Sequence, residues 1–240
     1  MYDIIIISAA KDFNKIKYLY KSILQYIQPT PNKIYCICPE YPSDMISGIT
    51  YKLDKDVLNI DISNIKYKPT WIYQQYIKLL QNITLNDYLV IDSDIIINKS
   101  IEIFSDNKPN FFISNNNYSK TFFDYSKTLF NIDKKYNSSF ISEIMLFDMT
   151  LVNEMLLTKF KDHDDFINES NKIITNTCYL SEYELYGNYI YDKHTNEYNY
   201  KKIKSSPFVI LNNLTDSGIE EYLSKMKDYN FDIIKISSIK

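Results

Sequence analysis

The sequence predicts an α/β fold, a mixed, mostly parallel sheet flanked by helices. Three observations predict it. Short apolar runs alternate with longer helical patterns, the order expected of strand–helix–strand units. The strongest run, Tyr88 to Ile97, is apolar on both faces, as a strand covered by helices on both sides must be. Two carboxylates, Asp92 and Asp94, interrupt that run. Burying ionised Asp costs several kcal/mol unless it is paired or holds a metal, and open α/β sheets bind ligands at the carboxyl ends of their strands.

The elements follow in order. Ile4–Ser8 is a buried first strand, and a helix runs from Asp12, its N-cap, to Tyr26 on a stripe of Ile16, Leu19, Ile23 and Ile27. Pro29 and Pro31 end it. Lys33–Cys38 is a second strand, stopped by Pro39 and Pro42, and Ile49–Leu53 a weaker third. The helix Thr70–Gln81 carries two stripes. Ile72, Tyr76, Leu79 and Leu80 form an apolar one; Trp71, Gln74, Gln75 and Lys78 form a polar one poor in charge. Such a face offers hydrogen bonds and one cation to a docked molecule, although a half-buried helix with an amide surface has the same periodicity.

Phe111–Ser114 is a further strand ending in the polar cluster Asn115-Asn116-Asn117. Phe140–Asp148 reads as another buried strand, and Thr150–Phe160 and Asp165–Ile174 as helices. Ser181 and Glu184 match a capping box that opens the next helix. Phe208–Leu211 is a late strand and Gly218–Met226 the last helix.

A chain of 240 residues with 45% hydrophobic content suits one domain. A net charge of −3 gives no sign of a nucleic-acid surface. Arginine is absent from the sequence, so any phosphate clamp must use lysine, backbone amides or metal. The bias toward Ile, Asn, Lys and Tyr fits an AT-rich bacterial or viral genome. No apolar run reaches the length of a transmembrane segment, and three cysteines suit reduced thiols. A cytoplasmic location is expected, the host cytoplasm or the virion if the source is viral.

Four segments in this order resemble glycosyltransferases of the GT-A fold, a Rossmann-like architecture, and a bacterial and giant-virus branch in particular. They are Trp71-Ile-Tyr-Gln74-Gln75-Tyr-Ile-Lys78, Tyr88-Leu-Val-Ile-Asp92-Ser93-Asp94, Ile144-Met-Leu-Phe-Asp148 and Ser181-Glu182-Tyr183-Glu184-Leu185-Tyr186-Gly187. The likeness weakens beyond about residue 195.

The resemblance implies a hexosyltransferase-type enzyme that moves a sugar from a UDP- or GDP-linked donor to a hydroxyl acceptor on a glycan or protein. Residues 1–100 would form the nucleotide-binding half and 101–240 the acceptor half. Asp94 would ligate Mn²⁺ or Mg²⁺ directly; Asp92 would contact the ribose or reach the metal through water. Ser8, Ala9 and Ala10 would let backbone approach the nucleotide, and Gln75 and Lys78 would reach the nucleotide and its phosphates.

Glu182, at a helix start, is the candidate base for an inverting course, with Glu184 its competitor. Asp148 and Glu143 would touch donor sugar or acceptor, though Asp148 equally suits an N-cap. The histidines, His163 and His194, lie outside the last 40 residues, where many relatives place a metal ligand; water and diphosphate would then complete the metal shell. Two alternatives stand beside this one: a haloacid-dehalogenase-like phosphatase, whose Asp-x-Asp sits nearer the N-terminus, and a sugar-nucleotide-binding module without catalysis.

Overall fold

The computed structural model describes residues 1–114, 120–207, 209–211 and 215–238. Asn115, Asn117 and Phe208 lie outside the described residues.

Alternation of apolar runs with helices builds a five-stranded sheet, as expected. Its strands are β1 (Tyr2–Ile7), β2 (Ile34–Cys38), β3 (Thr50–Leu53), β4 (Asp87–Asp92) and β7 (Ile144–Phe147), in the spatial order β7-β4-β1-β2-β3. β1 pairs in parallel with β4, Ile7 opposite Asp92, and with β2, Ile4 opposite Ile34. Only β7, among these five, runs antiparallel, with Ile144 opposite Ile91 and Phe147 opposite Tyr88. The four parallel strands therefore end at one edge, and β7 ends at the other.

Side chains alternate across the sheet and divide the core in two. Ile5, Ile7, Tyr88, Val90, Met145 and Phe147 face α2 (Pro69–Leu80) and α6 (Glu182–Lys193). Ile4, Ile6, Cys36, Leu89, Ile91 and Leu146 face α1 (Phe13–Tyr26). Each such isoleucine, wholly removed from water, contributes on the order of 1.5–3 kcal/mol.

The run Tyr88–Ile97 is not one strand. It breaks at Ser93-Asp94, where the chain turns, and Ile95–Ile97 becomes β5, which leaves the sheet to pair with the C-terminal strand β10 (Ile233–Ser238). Placing the second carboxylate in a turn removes it from the strand interior.

The other elements surround this frame. β6 (Lys108–Ser114) pairs in parallel with β8 (Asn199–Ile203), and β9 (Val209–Leu211) with β10. α3 (Lys120–Phe130), α4 (Met149–Leu157), α5 (His163–Ile173) and α7 (Asp216–Met226) complete it. Gly187 lets α6 lie against Phe140, whose side-chain carbons would stand 2.3–2.7 Å from an added Cβ. Among the described residues no helix is long and apolar enough to cross a membrane.

Candidate active site

The carboxyl ends of β1 and β4 open into a cleft roofed by the polar face of α2. Ile7 and Ala9 line it from β1 and the turn beyond. Trp71, Gln74, Gln75 and Lys78 line it from α2, and Asp92, Ser93 and Asp94 from the end of β4. All four members of the polar stripe thus line the same cleft as Asp92 and Asp94. Lys11 and Asp12 close the remaining side. Tyr88 Oη donates to the Lys78 carbonyl at 2.8 Å, fastening α2 to β4.

Lys78 is the hub. Its ammonium lies 2.8 Å from Asp92 Oδ1 and 2.7 Å from Glu182 Oε1, and 4.5 Å from the centre of the Tyr183 ring. Tyr183 Oη donates to the same Asp92 oxygen at 3.1 Å. Burial opposes the lysine's charge, but Asp92 and Glu182 outweigh it and hold the ammonium well above its ordinary range. The side chain lines the cleft, but two carboxylates already share its charge.

Asp94 differs. It makes no ion pair among the described residues. Burial, with the neighbouring Asp92 charge, pushes its carboxyl up to about 6. Its backbone carbonyl accepts from Ile236 N at 2.8 Å, so β10 holds the turn in place. Lys15, from α1, spans 2.5 Å to Asp12 and 3.0 Å to the Ile236 carbonyl. Asp12 stands at the N-cap position of α1 but makes no capping bond there; its carboxylate goes to Lys15 instead.

On the other side of β4, Lys235 pairs with Glu143, which also accepts from Ser205 Oγ at 3.2 Å. The Glu143 carbonyl accepts from Asp92 N at 3.1 Å. Glu143 itself adopts a left-handed backbone, φ 62°, a conformation that costs a non-glycine residue about 1–3 kcal/mol and concentrates at functional sites.

Three expectations are corrected. Asp148 lies away from the cleft: β7 is antiparallel, so its end emerges beside Asp87 at the opposite edge, and Asp148 Oδ1 caps α4 through Thr150 N and Leu151 N at 2.8 and 3.1 Å. Glu182 is fully buried, 0% exposed, and faces Lys78 rather than the cleft, so it has no open path to an acceptor hydroxyl. The capping box is half made: Ser181 Oγ accepts from Glu184 N at 3.5 Å, while the Glu184 side chain turns to Ser139 Oγ, Phe140 N and Asn188 Nδ2 at 2.5, 3.1 and 3.1 Å.

Of the small residues after β1, Ala9 lines the cleft, Ser8 is buried with its hydroxyl on the Ala9 carbonyl, and Ala10 is exposed at the start of a short turn of helix. Gln75 lines the cleft while its amide donates to the Trp71 carbonyl at 3.2 Å.

Sequence reasoning missed Tyr183, Lys15 and Lys235. Lys15 left a signal, because it sits one turn before Leu19 on the buried stripe of α1. Lys235 left another, a lone cation within Ile233-Ile234-Lys235-Ile236. Tyr183 left none.

The donor set fits a hard divalent ion held loosely. Among the described residues no three His, Cys, Asp or Glu side chains converge to hold a metal. Among the described residues, the cleft offers one carboxylate without an ion pair, Asp94, beside a lysine-bound one, Asp92. Mg²⁺-type ions, which keep several waters and take oxygens from a phosphate ligand, need no more.

A model of a family of unknown function, DUF6492, matches residues 4–230. No curated protein matches the sequence. Among solved structures the chain is similar to an active-site mutant of LgtC, with TM-score 0.48 and 10% identity over 98% of this chain and 86% of that one. It is likewise similar to galactosyltransferase LgtC in complex with donor and acceptor sugar analogs, with TM-score 0.46 and 8% identity over the same shares.

Proposed function

The chain belongs to the family DUF6492, and we propose that this member is a metal-dependent glycosyltransferase of GT-A type, moving a sugar from a nucleoside diphosphate sugar to a hydroxyl acceptor. One observation carries this function: Asp94, desolvated and without an ion pair among the described residues, stands in a polar cleft at the carboxyl edge of a parallel sheet, beside an Asp92 that lysine and tyrosine hold in place. The four sequence segments that resemble this enzyme class supply the specific chemistry.

Asp94, with Asp92 behind it, would hold Mn²⁺ or Mg²⁺. Bound there with a diphosphate, the ion would neutralise the leaving group, work that no arginine exists to do. Lys78 and Tyr183 fix the Asp92 carboxylate, leaving its second oxygen for a ribose hydroxyl or a metal-bound water. Gln74 and the Ala9 turn offer hydrogen bonds and close backbone approach to the nucleotide. Glu182 acts as a positioning residue: it shares Lys78 with Asp92 and keeps the ammonium charged. With Glu182 removed from the acceptor, the support for an inverting course goes with it.

The test is donor use. With Mn²⁺ and a panel of UDP- and GDP-sugars, the enzyme should release nucleoside diphosphate from at least one donor, and EDTA should stop it. Turnover of p-nitrophenyl phosphate with no donor used would overturn the transferase in favour of a phosphatase. Nucleotide binding without sugar release from any donor would favour a binding module.

A further inference from the structure

Among the described residues only three lysines are buried, Lys15, Lys78 and Lys235, and all three serve the turn from Asp92 to Asp94. Lys78 holds the Asp92 carboxylate directly. Burial and the Asp92 charge push the Asp94 carboxyl up, and the charge of Lys15 opposes them. Lys235 reaches both acids by a longer route, through Glu143 and through β10.

Two consecutive residues of β10 make that route. The Lys235 ammonium pairs with the buried Glu143 carboxylate, which Ser205 Oγ also supports at 3.2 Å. Glu143 precedes β7 with a left-handed backbone, φ 62°, which a non-glycine residue keeps only when its surroundings impose it. Tying down its side chain therefore fixes its carbonyl, the acceptor for Asp92 N at 3.1 Å. The next residue of β10, Ile236, donates its N–H to the Asp94 carbonyl at 2.8 Å and accepts from Lys15 at 3.0 Å. Lys235 N donates to Ser206 Oγ at 2.9 Å, and Lys235 stands opposite Ile95, the residue after Asp94. A side chain thus sets the backbone of one acid, and a main-chain bond that of the other.

We propose that Lys235 is a positioning residue that fixes the separation of Asp92 and Asp94 for a divalent ion. This role rests on the metal-dependent function proposed above and adds β10 to its site. A buried ion pair gives little stability over a well-packed apolar pair, so stability alone does not account for Lys235 and Glu143. Mg²⁺-type ions demand near-octahedral geometry at about 2.0–2.1 Å, which a displaced carboxylate no longer meets. Groups that orient the ligands of a metal govern its affinity for that reason.

Charge and position predict opposite signs. Removing the Lys235 cation leaves the acids more negative, which by charge alone tightens a divalent ion. Mn²⁺ would be titrated into the full chain with saturating UDP or GDP, the bound ion being read from loss of the free-ion electron paramagnetic resonance signal. Lys235→Met should instead weaken Mn²⁺ by about tenfold. Lys235→Met combined with Glu143→Met leaves the net charge unchanged and neither partner buried alone, which keeps the test open where the single variant does not fold. The double variant should also weaken Mn²⁺ by about tenfold, and its Asp92 amide should exchange about tenfold faster without metal.

Mn²⁺ affinity in Lys235→Met equal to or above that of the parent overturns the role, and so does a double variant with parental affinity. A parent that binds no Mn²⁺ with either nucleotide overturns the metal-dependent function; unchanged Asp92 exchange in the double variant then overturns the positioning as well. Weakened Mn²⁺ in both variants, with no donor used by the parent, upholds Lys235 and overturns the transferase.

Discussion

The first turn of α6 carries two glutamates two residues apart, both wholly buried, in opposite circumstances. Glu184 is surrounded by donors: Ser139 Oγ, Phe140 N, Asn188 Nδ2 and, at 3.9 Å, Lys134. Glu182 shares a single lysine with Asp92, and its Oε2 has no hydrogen-bond partner among the described residues. A satisfied buried carboxylate fixes structure; Glu184, with Gly187 one turn on, seats the Phe140 segment against the helix. An under-satisfied one is retained at a cost, and here it lies one lysine away from the cleft. Under the proposed function, the difference separates a structural acid from one that positions the site.

The largest effect should come from the hub. Lys78→Met leaves Glu182 and Asp92 without their cation and should destabilise the protein by about 3–5 kcal/mol at pH 8. Glu182 is already pushed up by burial, and loss of Lys78 raises it further. A raised carboxyl favours the fold below its unfolded value and disfavours it as pH rises through the folded one. The deficit should therefore shrink between pH 8 and pH 5, read from urea midpoints. A deficit constant with pH would show that the lysine acts by packing alone.

Next comes the pair itself. Glu184→Gln keeps a carbonyl oxygen for Ser139 and Phe140 but sets its amide nitrogen against Asn188 Nδ2 and Lys134, and should cost about 2–3 kcal/mol, with donor turnover per folded molecule unchanged. Glu182→Gln keeps an acceptor for Lys78 and should cost no more than about 1 kcal/mol, yet lower turnover. Equal stability losses would erase the contrast between the two glutamates.

An effect of opposite sign is expected at Asp94. Its carboxyl rises from 3.8 to about 6 in the fold, so its contribution is intact below 3.8 and is lost as pH rises through 6. Asp94→Asn should leave stability unchanged near pH 4 and raise it above pH 6, by at most about 3 kcal/mol at roughly 1.4 kcal/mol per unit. Mn²⁺ with nucleotide should reverse the order by stabilising only the parent. A variant less stable at pH 8 without metal would mean that Asp94 is favourably placed in the empty site.

Much of this was legible in the sequence, for physical reasons. A two-sided apolar run broken by acids identified β4 and its edge, and helical spacing put Trp71, Gln74, Gln75 and Lys78 on one face. Both are local patterns. Strand direction is not local: nothing in Ile144–Phe147 says that it runs antiparallel, so of the two roles open to Asp148 the ligand role failed, while the N-cap role, a local pattern, held. Pairings across 91 or 92 residues, such as Tyr183 with Asp92 and Lys235 with Glu143, have no local trace beyond a misplaced cation. Glu182 was rightly placed at a helix start, but its burial behind Lys78 depends on how α6 packs against α2.

The central claim is that Asp94 and the α2 face bind metal and nucleoside diphosphate together. Calorimetric titration of UDP and GDP, with and without Mn²⁺, into the parent and Asp94→Ala tests it most directly. The account predicts binding of one nucleotide that requires Mn²⁺ and disappears in the variant. Absence of binding by either nucleotide with Mn²⁺ present, or equal binding by the variant, would contradict it.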